Sequence, residues 1–129
     1  GPNTGLWGSF LIRTRSGANI YVSGDTAYFD GFAEIGARCG EIQAAMLPIG
    51  AYAPRWFMQI MHLDVPEAVQ VREDLRATRA IGIHWGTFES LADEPLDEPP
   101  ALLAKQREAR GLAREQFDVM KIGEIRSLR

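Results

Sequence analysis

The sequence predicts an α/β domain built on a mostly parallel sheet. Three observations carry this expectation. Short β-rich runs alternate with helical patterns in the order strand, helix, strand, helix, strand, which is the order of crossover units. The stretch Asp64-Val65-Pro66-Glu67 carries a helix-start signature between two apolar runs. Two of the apolar runs end in glycine-containing turns that carry a polar residue, Gly24-Asp25-Thr26 and His84-Trp85-Gly86.

Leu6 to Ile12 and Asn19 to Ser23 are β-rich and are separated by the polar Arg13-Thr14-Arg15-Ser16-Gly17-Ala18, so they are expected to form an antiparallel hairpin. After Asp25, residues Phe29, Phe32, Ala33, Ile35 and Gly36 recur at helical spacing, predicting a helix over Tyr28 to Arg38 that stops at Gly40. Ala44 to Ile49 reads as a strand with Pro48 at its end, where a ladder donor is no longer needed. Residues 50–61 read as a loop rich in aromatic side chains. In the next helix, expected to run to about Ala77, Asp64 can cap the exposed amides and Glu67 can reach back to complete the box. Ile81 to Ile83 is the following strand. Glu94 to Pro100 is too rich in proline for a helix interior and predicts an extended arm. Ala101 to Arg110 is expected to be a last helix ending at Gly111, and Phe117 to Ile122 a closing strand.

The 129 residues are 46% hydrophobic, enough for one packed domain. No repeat, low-complexity tract or internal boundary interrupts them. Seventeen acidic residues against fourteen basic leave a net charge of -3, which gives no bulk attraction to nucleic acid. No apolar run approaches the roughly 20 residues of a membrane span, and no signal peptide is visible. The single cysteine, Cys39, has no partner for an internal disulfide and reads as a buried reduced thiol, which fits a reducing, cytoplasmic compartment.

Chemistry concentrates at the strand ends. His84 follows the apolar Ile81-Gly82-Ile83 and precedes a glycine that lets a ligand approach; it reads as a metal ligand or as a hydrogen-bonded core histidine. Asp25 reads as a turn-forming carboxylate or as a ligand. Ligand sites in open α/β sheets assemble at the carboxyl ends of the strands, where both residues are expected to lie. Carboxylate and imidazole together suit zinc and neighbouring divalent metals. His62 precedes the capped helix and reads as a loop histidine or a site residue, and Arg55 as a surface charge or an anion contact. Trp56-Phe57-Met58 reads as core or as an apolar approach surface.

These stretches resemble one family. Leu6-Trp7-Gly8-Ser9, Gly24-Asp25-Thr26-Ala27-Tyr28, Leu47-Pro48-Ile49-Gly50-Ala51-Tyr52, Pro54-Arg55-Trp56-Phe57-Met58, His62 with Pro66-Glu67-Ala68-Val69, Ile83-His84-Trp85-Gly86-Thr87-Phe88 and Glu98-Pro99-Pro100 are similar in order and spacing to the metallo-β-lactamase-fold hydrolases, within the branch of N-acyl-phosphatidylethanolamine-hydrolysing phospholipase D. The resemblance implies a four-layer αβ/βα sandwich of which residues 1–129 are the C-terminal half. It implies that Asp25 bridges two zinc ions, that His84 binds one of them, and that His62 contacts substrate. It also implies a metal-bound hydroxide attacking a phosphodiester of an N-acyl-phosphatidylethanolamine-type lipid, at a cytoplasmic site or one peripheral to the membrane. The family's His-x-His-x-Asp-His motif and a further histidine ligand are not found in the sequence, so the chain alone is expected to be inactive and to need the missing N-terminal half as partner. The alternatives are a lactonase or another phosphoesterase on the same centre, or a non-catalytic assembly module that hides its open sheet face in a homodimer.

Overall fold

The computed structural model describes residues 8–128. Leu6 and Trp7, where the first strand was expected to begin, lie outside the described residues. Five strands form one sheet in sequential order: β1 (Phe10–Arg13), β2 (Asn19–Val22), β3 (Ile42–Pro48), β4 (Ala77–Ile83) and β5 (Phe117–Val119). β1 pairs antiparallel with β2, and β2, β3, β4 and β5 are parallel neighbours. This is the mostly parallel α/β sheet that the alternating pattern predicts.

Side chains alternate across a strand, so the register sorts residues by face. Tyr21, Ala45, Ala80 and Phe117 are aligned across β2 to β5, and all lie in the buried core. That core is completed by Phe32 of α1 (Gly31–Cys39), by Ala68, Val69 and Val71 of α3 (Val65–Asp74), and by Leu103 of α4 (Glu98–Arg110). The opposite face carries the row Phe10, Val22, Met46, Ile81, of which Phe10 is 71% exposed and the other three are half-buried. Ile12, 50% exposed, extends this second apolar face.

The helices follow local chemistry. α1 buries Phe32 and Gly36 and packs Ile35 and Cys39 against the core, a stripe at three- and four-residue spacing. Cys39 ends that helix and is half-buried rather than buried, a departure from the expected position inside the core. Asp64 caps α3 with the expected box: Glu67 N–H donates to Asp64 Oδ1 at 2.8 Å, and Asp64 N–H donates to Glu67 Oε2 at 3.1 Å.

Several boundaries differ from expectation: α1 begins at Gly31 rather than Tyr28, β3 spans Ile42–Pro48 rather than Ala44 to Ile49, and β4 begins at Ala77 rather than Ile81. α3 ends at Asp74, because Arg76 takes the left-handed conformation with φ 55°, and this frees Ala77 to start β4. β5 ends at Val119 rather than Ile122. α4 begins at Glu98, not Ala101, since Pro99 and Pro100 occupy the first turn, where their missing N–H groups have no intrahelical partner to lose. Residues 50–61 contain one helical turn, α2 (Arg55–Met58).

A buried carboxylate organises the far side of the sheet. Asp118, 4% exposed, accepts from Arg107 at 3.3 Å, Arg114 at 2.8 Å and Arg126 at 3.0 Å. Among the described residues no helix is long and apolar enough to cross a membrane.

Candidate active site

The parallel strands β2, β3 and β4 all point their carboxyl ends to one rim, and the candidate residues gather there. β2 continues through Ser23, whose N–H and Oγ both donate to the Met46 carbonyl of β3, at 3.2 and 3.0 Å. Gly24, with φ 64°, then turns the chain and delivers Asp25. β4 ends at Ile83 and delivers His84, which holds the left-handed conformation at φ 61°. For a non-glycine residue this costs about 1–2 kcal/mol, so the surroundings must impose it.

The two side chains meet above the end of β3. Asp25 Oδ1 lies 3.5 Å from His84 Nε2, with side-chain exposures of 68% and 26%. His62 joins them: its ring stacks on His84 with centroids 5.2 Å apart and planes inclined by 27°. The approach is built by the chain around it, since Leu63 N–H donates to the Thr26 carbonyl at 2.9 Å and ties the His62 segment to the Asp25 turn. Burial holds His62 below the ordinary histidine pKa, and the neighbouring His84 adds to that depression. Its Nδ1 is buried and has no hydrogen-bond partner among the described residues.

Arg55 is not an open anion contact. Its guanidinium donates to the His62 carbonyl at 2.9 Å and to Glu67 at 2.8 Å and lies 3.5 Å from Asp64, so it clamps the turn that carries His62. Trp56 and Phe57 are 78% and 51% exposed, which removes them from the core and leaves an apolar outer surface on α2.

The donor set fits a divalent metal in type and spacing. Two ligands held about 2.0–2.1 Å from one tetrahedral zinc lie about 3.4 Å apart, close to the 3.5 Å between Asp25 Oδ1 and His84 Nε2. Among the described residues no group of three or more His, Cys, Asp or Glu side chains converges, so the pair is a partial ligand set.

Two features of the site escaped sequence reasoning. A Cβ placed on Gly50 would lie 2.2 Å from the His84 carbonyl oxygen, so this glycine marks a close backbone approach. Glu94, in the segment predicted as an extended arm, instead folds back: its carboxylate accepts the amide N–H groups of Ala51, Tyr52 and Ala53. A glycine after an apolar strand hints at the first; no local pattern signals the second, because the partners are distant in sequence. Beside His84, the same loop lines a cavity of about 170 Å³ with Trp85, Phe88, Leu91 and Leu96.

The comparisons with known proteins agree with this architecture. Residues 1–85 match the Beta-lactamase superfamily domain. The chain is 38% identical over 125 residues, 95% of its length, to the N-acyl-phosphatidylethanolamine-hydrolyzing phospholipase D 1 of Caenorhabditis elegans, and covers 35% of that protein. It is 31% identical over 120 residues to a metal-dependent hydrolase of Pyrobaculum aerophilum, covering 93% of this chain and 48% of the relative. In structure it is similar to a metallo hydrolase from Ignicoccus hospitalis, with TM-score 0.66 and 25% identity over 95% of this chain and 46% of that one. The chain thus spans about a third to a half of the length of these relatives. Strand order, rim geometry and the matched domain together place the chain in the beta-lactamase superfamily of metal-dependent hydrolases, with sequence similarity to N-acyl-phosphatidylethanolamine-hydrolyzing phospholipase D relatives.

Proposed function

We propose that this chain contributes one half of the active centre of a zinc-dependent phosphodiesterase acting on N-acyl-phosphatidylethanolamine-type lipids. The observation that carries the reading is the 3.5 Å approach of Asp25 to His84 at the carboxyl rim of the sheet, with His62 stacked on it. Asp25 and His84 are the metal ligands, and the Asp25 carboxylate, whose side chain is 68% exposed, has a second oxygen with which to serve a second ion. Zinc bound there supplies Lewis acidity and lowers the pKa of a coordinated water. His62, held neutral by burial, offers one donor and one acceptor with which to orient a phosphate oxygen.

The remaining ligands come from the other half of the sandwich. The half-exposed apolar row Phe10, Val22, Met46, Ile81 supports this, since such a sheet face is ordinarily covered in a folded protein. A lipid substrate is supported by the exposed Trp56, Phe57 and Ile60 and by Phe88 and Leu91, which surround the rim with apolar surface suited to a peripheral approach to a bilayer.

The test uses a protein in which this chain is joined to the N-terminal half, assayed on N-acyl-phosphatidylethanolamine vesicles and on a soluble phosphodiester. Activity is expected to vanish on chelation, return with zinc, and be absent in Asp25→Ala and His84→Ala. Full activity in either variant overturns the assignment.

A further inference from the structure

We propose that Glu94 is a positioning residue for His84, acting through the segment from Gly50 to Ala53; the proposal rests on the reading of His84 as a metal ligand. Three consecutive amide N–H groups converge on one carboxylate, those of Ala51, of Tyr52 at 3.2 Å and of Ala53 at 3.0 Å. Such convergence requires an unusual backbone, and Ala51 supplies it with φ 60°, the left-handed partner of an anion-holding nest. A nest of this kind commonly receives a free anion; here the chain fills it with its own side chain.

The other side of the same segment carries His84. Gly50 sits so close to the His84 carbonyl that no side chain fits between them, and Ile49 N–H donates to the Ile83 carbonyl at 3.0 Å. His84 is itself left-handed. The segment is therefore gripped by Glu94 on one side and lies in close backbone contact with His84 on the other, and this contact holds the conformation that aims Nε2 at Asp25. Two further bonds fix the grip: Asp93 N–H donates to the Ala53 carbonyl at 3.2 Å, and the Tyr52 hydroxyl donates to Glu98 at the start of α4. Glu94 does not join Asp25 and His84 in a three-donor cluster, which separates positioning from ligation. Groups that orient a ligand in this way typically account for about 10–100-fold in metal affinity.

The experiment compares the parent chain with Glu94→Gln and Glu94→Ala, using Glu89→Ala in the same loop as control. Two readouts avoid catalytic activity. One is the side-chain nitrogen NMR of the chain's two histidines, His62 and His84. The other is cobalt(II) affinity, followed by its visible absorption. With far-UV circular dichroism unchanged, the His84 ring signals should move and cobalt affinity should fall about 10–100-fold in Glu94→Ala. The fall should be smaller in Glu94→Gln, which keeps one acceptor oxygen, and absent in Glu89→Ala. If Glu94→Ala does not fold, Glu94→Gln decides by the same signals. His84 signals and cobalt affinity that match the parent in the folded variants overturn the proposal, even where the parent binds cobalt well. If the parent binds no cobalt even when joined to the N-terminal half that supplies the remaining ligands, the metal reading fails separately, and the His84 signals alone decide whether Glu94 positions that ring.

Discussion

The main chains of Gly50 and His84 are in direct contact: a Cβ on Gly50 would stand 2.2 Å from the His84 carbonyl oxygen, which is backbone and cannot swing away. Gly50→Ala must therefore separate the ends of β3 and β4. We expect it to lower stability by about 1–3 kcal/mol, the usual cost of forcing atoms into a packed site. Its denaturant midpoint should fall, and its metal affinity should fall further than that of a core variant of equal stability. An unchanged midpoint in Gly50→Ala refutes the contact.

His62 and His84 touch but are assigned different work, and kinetics can separate them. In the joined protein, His62→Gln should leave metal content at the parent level and lower kcat/KM on a soluble phosphodiester by about ten-fold or more. His84→Ala should lose metal and activity together. Loss of metal in His62→Gln would move His62 among the ligands.

Asp118 sets an acid limit on stability. Burial alone would raise its pKa, but hydrogen bonds from Arg114, the Val119 amide and Arg126 outweigh burial and hold the carboxyl below its ordinary value. A depressed folded pKa means that the unfolded chain binds the proton more readily. The contribution is therefore complete above the unfolded value of about 3.9 and drains away as pH falls through the lower folded value. Asp118→Asn should cost about 2–4 kcal/mol at pH 7, since it leaves three guanidinium partners without their shared charge. It should also flatten the acid limb of the stability curve, and a limb as steep as the parent's excludes Asp118 as its source.

Trp56 and Phe57 contribute surface rather than packing. The double replacement by serine should change stability by less than about 0.5 kcal/mol, as is usual for exposed positions. It should weaken binding to phospholipid vesicles in a flotation assay and reduce turnover of lipid while sparing a soluble phosphodiester. Equal loss on both substrates would argue for a role inside the site.

The sequence made the sheet legible because its signals are local. Apolar runs of strand length, the Asp64 and Glu67 capping pair and Gly40 after α1 each act within a few residues, and each is found as predicted. The meeting of Asp25 with His84 follows from topology once the strands are parallel. Glu94 was not legible, because a carboxylate bonded to the amides of Ala51 to Ala53 depends on how a distant loop folds back. The start of α4 was misplaced for a different reason: Pro99 and Pro100 forbid a helix interior yet suit a first turn, and the two cases differ only in what precedes them. The Trp56 cluster stayed ambiguous because an aromatic run has the same pattern inside or outside.

β2 and β4 are not neighbours; β3 runs between them, so their axes stand roughly 9–10 Å apart. An ion held jointly by Asp25 and His84 would act as a rivet across three strands, fastening the two outer ones over the tip of the middle one. Cargo of that kind binds only the assembled rim, so loading should raise the melting temperature in step with free metal concentration. Thermal upshift on titration thus gives a catalysis-free gauge of whether the rim has closed.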